Sequence, residues 1–237
     1  MGAPAFSFRP GDVISHPVMS ECEGVSLQKG MNFRIRGVRN VILMSRRKGA
    51  PYADRFEDDG RVLIYEGHDA ARRRGSPRPK TVDQPALTPR GKPTENSRFF
   101  EAARDFAEGR GPAEVVRVYE KIRTGIWVFN GCFRLVHAWI EASGRRKVFK
   151  FKLELLTEDK ISPPTPDTQL ARTRVIPSAV KQAVWKRDKG RCVKCGRTDN
   201  LHFDHDYPYS RGGTSFLAEN IRLLCARHNL EKGNKIE

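Results

Sequence analysis

The pattern that most restricts this chain lies near its end. Cys192-Val193-Lys194-Cys195 is followed, after 29 intervening residues, by Cys225-Ala226-Arg227-His228. A lone CxxC could be a redox pair, but the matching CxxH supplies two further ligands of the type that tetrahedral zinc takes. Cys192, Cys195, Cys225 and His228 are therefore expected to hold a structural Zn²⁺. The last 60 or so residues must then fold so that two short knuckles meet, and the metal substitutes for a core that so short a stretch cannot build alone. The total of five cysteines is odd, which does not fit a disulfide framework. Cys22 and Cys132 have no partner motif and read as packing thiols.

Charge points to the partner. Lys and Arg number 44 against 28 Asp and Glu, a formal net charge of +16. A balance this basic fits nucleic acid, because neutralising phosphates releases counterions. A ribosome-associated or merely basic soluble protein fits the charge alone as well. Thirteen Phe, five Tyr and three Trp supply enough apolar mass for real cores across 237 residues, in one large or two small domains. No apolar run approaches the roughly 20 residues that span a bilayer, and the start lacks a signal-peptide pattern. The expected setting is cytoplasmic, with no membrane partner.

Residues 1–157 read mainly as β. Apolar and basic residues alternate in Phe33-Arg34-Ile35-Arg36, and Phe149, Phe151, Leu153 and Leu155 share one face of a strand over Val148–Leu156. Arg61–Tyr65 and Val115–Ile122 are further strands. Ile126–Asn130 and Phe133–Ile140 flank Gly131 as a hairpin or as a bulged turn. A helix is expected from Ser97 to Glu108, with Phe99, Ala103, Phe106 and Ala107 on one face and Gly109 as its stop. Residues 70–96, with Arg72-Arg73-Arg74, form a long basic loop that suits either a path along DNA or a solvated insertion. Residues 158–176, with Pro163-Pro164-Thr165-Pro166, read as a linker. Residues 177–237 form a second domain, opening on a short helix that carries Val180 and Val184 and ends at Gly190.

Between the knuckles stands Leu201-His202-Phe203-Asp204-His205-Asp206, then Gly212-Gly213, Asn220 and, past Cys225, Asn229 and Lys232. In this order the residues resemble the HNH nucleases of the ββα-metal type, in the subgroup whose motif is clamped by zinc. Residue chemistry agrees. His205 has the pKa range of a general base, and Asp204 with Asn229 offers hard oxygen donors for Mg²⁺ or Mn²⁺. The resemblance implies that Asn220 orients His205 from the neighbouring loop. Lys232 and Arg211 suit phosphate contacts or a solvated surface, and His202 and Asp206 are phosphate-facing or simply polar.

The first domain resembles the SRA fold, a β-barrel-like module that flips and reads 5-methylcytosine. Gly11-Asp12-Val13, the run from Tyr52-Ala53-Asp54 through Tyr65-Glu66-Gly67-His68-Asp69, and Val116–Val136 carry the likeness. Phe129-Asn130-Gly131 stands where the family has Tyr-Asp-Gly, so only the glycine is shared. An extruded base needs aromatic faces and a hydrogen-bond acceptor for its amino group. Tyr52 and Tyr65 are the expected plates and Asp54 the acceptor, with Asp58 or Asp59 as alternatives.

The expected fold is thus α+β, an SRA-like β-barrel domain with helices plus a small zinc-bound ββα-metal domain. The expected function is a modification-dependent endonuclease acting on double-stranded DNA that carries 5-methylcytosine or 5-hydroxymethylcytosine, as in prokaryotic restriction. One HNH site cuts one strand, so double-strand cleavage implies a homodimer or two nicks. The rivals are a nickase or homing-type nuclease reading unmodified DNA, a non-catalytic zinc DNA-binding protein, and an RNA-directed basic protein.

Overall fold

Alternation of apolar and polar residues builds the main layer. In the computed structural model, which describes residues 8–72, 74–156, 175–208, 213–233 and 235–236, the period-two runs become strands β1 (Val13–Ser15), β2 (Met31–Ile35), β3 (Arg39–Met44), β4 (Arg55–Glu57), β5 (Val62–Glu66), β6 (Val115–Arg123), β7 (Ile126–Ser143) and β8 (Arg146–Leu155). They form one eight-stranded sheet in the order β2-β3-β6-β7-β8-β5-β4, with β1 paired to β7. Among the described strands, only β3 and β6 pair in parallel. Their connection contains α2 (Glu95–Ala107), as a parallel pair requires a long crossover. Thr94 caps α2 by accepting from the Ser97 N–H, so the helix starts two residues before the expected Ser97. Phe99 and Ala103 are fully buried against the sheet with Phe133, Phe151 and Leu153. Ala107, expected on the same face, is exposed.

The chain around Gly131 is not a hairpin. β7 continues through it, and Val118 pairs with Gly131 while Tyr119 pairs with Phe129, leaving Asn130 as the extra residue of a bulge. Gly131 has φ +114, which a side chain would resist. Lys150, between Phe149 and Phe151 on β8, is 3% exposed and pairs with Glu66 on β5 at 3.0 Å. The basic loop is pinned rather than free. Gln84 is buried, donates to the Gly67 carbonyl and accepts from the Phe149 N–H. Arg72 and Arg74 are exposed, and Arg73 lies outside the described residues.

A helix absent from the sequence reading, α1 (His16–Glu23), is capped by Ser15 and closed by Gly24 at φ +70. Its Met19 and Glu23 are buried. Glu23 accepts from the Tyr119 hydroxyl and pairs with Arg117 at 2.6 Å.

Most of the expected linker, through residue 174, lies outside the described residues. Its last two positions do not behave as linker, since Val175 joins the main core and Ile176 a second one. That second core gathers α3 (Ser178–Arg187) and the two-stranded sheet of β9 (Leu201–His205) and β10 (Ile221–Cys225), together with Ile122 and Val128 of the large sheet. Helix α4 (Ala226–Lys232) follows β10 directly. Polar contacts reinforce the junction. Phe203 on β9 donates from its N–H to the Gly11 carbonyl, and Lys181 on α3 reaches Glu120 at 2.5 Å and Asn130 at 2.6 Å. No helix among the described residues is long and apolar enough to cross a membrane.

Candidate functional site

The two knuckles meet. β10 ends at Cys225, α4 turns His228 back toward it, and the loop after α3 brings Cys192 and Cys195 alongside. Ligand atoms of Cys192, Cys195, Cys225 and His228 all lie within 4.8 Å of one another. The Cys195 and Cys225 sulfurs are 3.8 Å apart, and His228 Nδ1 is 3.3 Å from Cys192 Sγ and 3.4 Å from Cys225 Sγ. A tetrahedron with Zn–S of about 2.3 Å and Zn–N of about 2.0 Å has edges of about 3.5–3.8 Å, so the donor set fits zinc. Burial pushes the Cys192 thiol up, but backbone N–H groups of the knuckles and His228 outweigh it and bring its pKa down to about 6, favouring the thiolate.

Three elements meet beside this cluster. β9 carries Asp204 and His205, and its neighbour β10 is in register with it, Arg222 opposite Asp204. α4 sends Lys232 across to β9, where Nζ sits 2.7 Å from Asp204 Oδ2 and donates to the His205 carbonyl at 2.5 Å. Lys232 is 1% exposed. It is therefore not a phosphate contact, because its charge is committed to the strand. Asn229 lies one turn earlier on α4, half-buried. Burial pulls the His205 pKa below its ordinary value, Asp204 working against this and Lys232 with it.

Asn220 does not bond to the His205 ring among the contacts described. Its Oδ1 accepts from the Tyr207 N–H at 2.8 Å, and its Nδ2 donates to the carbonyls of Tyr207 and Thr214 at 3.1 and 2.9 Å. It clasps the two arms of the loop that follows β9. His205 does contact Ser215, whose Oγ is 2.9 Å from Nε2 and which is 1% exposed. No periodicity or motif singled out this serine. His202 Nδ1 is 2.6 Å from Asp12 Oδ1, and Asp206 pairs with Arg222 at 2.5 Å, so both flanking residues serve structure. Arg211 and Gly212 lie outside the described residues.

The aromatic run also gathers, in an altered form. The Tyr52 ring is half-buried and stacks on His68 at 5.1 Å and 10°. Lys80 Nζ lies over the Tyr52 ring at 4.3 Å. Tyr65 is not an exposed plate. Its register opposite Phe151 turns its ring into the main core, where it is 1% exposed, and its hydroxyl meets His68 Nε2 at 2.9 Å. His68, missed in the sequence, stands where the second plate was expected. Asp54 is 8% exposed and accepts from the N–H groups of Glu66 at 3.1 Å and Ser45 at 3.4 Å. Burial pushes its carboxyl up to about 7, the neighbouring Glu66 adding to this and the two N–H donors opposing it. Asp58 and Asp59 are exposed in the turn joining β4 to β5, with φ +48 and +53. Behind the rings, Arg146 bridges Glu66 at 3.1 Å and Asp69 at 2.5 Å.

Residues 192–235 match the HNH endonuclease family model. No curated protein matches the chain. Among solved structures, the chain is similar to the SUVH5 SRA domain in complex with hemi-methylated CG DNA, with a TM-score of 0.45 and 22% identity over 68% of this chain and 94% of that one. It is similar also to the SUVH5 SRA domain bound to fully hydroxymethylated CG DNA, at 0.44 and 21% over the same shares. The type IV phosphorothioation-dependent restriction endonuclease ScoMcrA aligns over 98% of this chain and 56% of its own, at 0.42 and 17%. The family match coincides with the stretch that folds into the Cys₃His cluster, β10 and α4. The C-terminal stretch, residues 192–235, is thus similar to the HNH endonuclease domain.

Proposed function

We propose that this protein is a modification-dependent DNA endonuclease, in which the N-terminal sheet reads a modified cytosine and the C-terminal site cuts the backbone. The observation that carries the reading is the union, within the stretch that matches the HNH family, of Asp204, His205 and Asn229 with a four-ligand metal cluster. Zn²⁺ in that cluster would hold β10 and α4 in place. Asp204 and Asn229 would hold Mg²⁺ or Mn²⁺, which when bound supplies positive charge at the phosphate and at the departing oxygen. Burial lowers the His205 pKa, which favours the neutral imidazole that a general base needs. His205 takes one proton from water while the water oxygen forms its bond to phosphorus. The bond from phosphorus to the 3′ oxygen breaks, and that oxygen is protonated from solvent. The products are a 5′-phosphate and a 3′-hydroxyl.

In the reader, the Tyr52 ring, now flanked by His68 and Lys80, would be the aromatic face on which an extruded cytosine stacks. His68, now stacked on Tyr52, would move aside or form the opposite face. Asp54 would accept from the cytosine amino group, since each carboxylate oxygen can take a second hydrogen bond. The net charge of +16 supports a duplex partner.

The test is cleavage of one duplex prepared unmodified, with 5-methylcytosine and with 5-hydroxymethylcytosine, in Mg²⁺ or Mn²⁺ and in EDTA. Cutting confined to modified DNA, abolished by EDTA and by His205→Ala with DNA binding kept, is the expected result. Equal cutting of all three duplexes would leave a nuclease without a modified-base reader.

A further inference from the structure

We infer that Ser215 is the positioning residue for the base His205, and that Asn220 acts on His205 through it. The inference rests on the nuclease reading above. Three observations carry it. Ser215 Oγ lies 2.9 Å from His205 Nε2. The serine is 1% exposed, so water cannot readily take over its bond to the ring. Its chain neighbour Thr214 is held through its carbonyl by Asn220 Nδ2 at 2.9 Å, and Asn220 also grips Tyr207 on the other arm of the same loop at both N–H and carbonyl. The sequence Asn220, Thr214 carbonyl, Ser215 hydroxyl, His205 ring is thus a continuous chain of contacts ending on the base.

A serine hydroxyl can donate or accept, but a histidine that accepts a proton during the reaction must present a lone pair to water. In the proposed role Ser215 Oγ accepts from Nε2–H, the arrangement in which Nδ1 carries the lone pair. The buried hydroxyl holds the ring in one orientation, the task a carboxylate or carbonyl performs behind many functional histidines.

The test compares Ser215→Ala, Ser215→Thr and Ser215→Val, the last two being matched in shape and differing in the hydroxyl. Cleavage would be measured with Mn²⁺ on the 5-hydroxymethylcytosine duplex and its unmodified twin, beside His205→Ala. Expected is a fall in kcat of about 10- to 100-fold for Ala and Val, an unchanged KM, and substantial recovery in Thr. Nitrogen NMR of His205 should report the Nε2–H tautomer in the native protein and Thr variant and its loss in Ala and Val. Native-like kcat and tautomer in the Ala and Val variants would overturn the role of Ser215 while leaving the nuclease intact. If His205→Ala itself cuts normally, the underlying reading of His205 fails instead. Loss of zinc and of the folded β9–β10 hairpin in Val alone would be steric, and the Ala and Thr pair would then decide.

Discussion

At the residue scale, His68 has the most direct consequence in solution. Burial lowers its pKa from 6.5 to about 4, with Lys29 and Lys80 adding to the effect and Asp69 opposing it. An unfolded chain titrates this group near 6.5, so between these values the unfolded state binds more protons than the folded one. The contribution is intact above pH 6.5 and is lost as pH falls toward 4, amounting at most to about 3 kcal/mol. Asp54 works in the opposite sense, because its raised pKa makes the folded state the better proton binder on acidification. The two effects separate in a variant. His68→Asn should lose less Tm than the native protein between pH of about 7 and about 4.5. An identical acid loss in both proteins would show that His68 is not buried against Tyr52 and Tyr65.

At the scale of elements, a metal held by the Cys₃His cluster would tie β10 to α4. β10 and α4 each supply part of one ligand set, Cys225 ending the strand and His228 lying one turn into the helix. Zinc in such a small unit contributes on the order of 10 kcal/mol of apparent folding energy. Removal of zinc by a strong chelator should therefore abolish cleavage, and excess Mg²⁺ alone should not restore it. The β signal of the large sheet should persist, since its cluster of Phe133, Phe151 and Leu153 contains no metal ligand. Circular dichroism with zinc analysis checks this, and full activity in metal-stripped protein would sink it.

At the scale of the molecule, the nuclease unit is seated on the sheet by a buried ion pair. Lys181 and Glu120 are 1% and 0% exposed, and the bulge at Gly131 is what turns Asn130 toward them. Burial lowers the Lys181 pKa, with Glu120 opposing the shift. Removing one partner of a buried pair leaves the other charge uncompensated, at a cost of about 3–5 kcal/mol. Lys181→Met should destabilise by about that amount and split the thermal transition, while Lys181→Met with Glu120→Gln should recover a large part. Equal melts for all three proteins would mean that the pair is not buried.

The zinc ligands, the order of Asp204, His205, Asn220 and Asn229, and the main strands were legible in the chain itself. Knuckle spacing and two-residue alternation are local properties, set by covalent reach and by which side of a strand each residue occupies. What each polar side chain does was not legible, because a hydroxyl or carboxylate takes whichever partner folding brings near. Ser215 met His205 across a loop, Lys232 was drawn inward by Asp204, and Tyr65 was turned into the core by pairing with a strand about 90 residues later, leaving His68 beside Tyr52. The parallel β3–β6 pair and the shared core of Ile122, Val128 and Val180 likewise join residues far apart in sequence. Residue types and their spacing set the chemistry available to this protein, and long-range packing decided which atoms would face one another to use it.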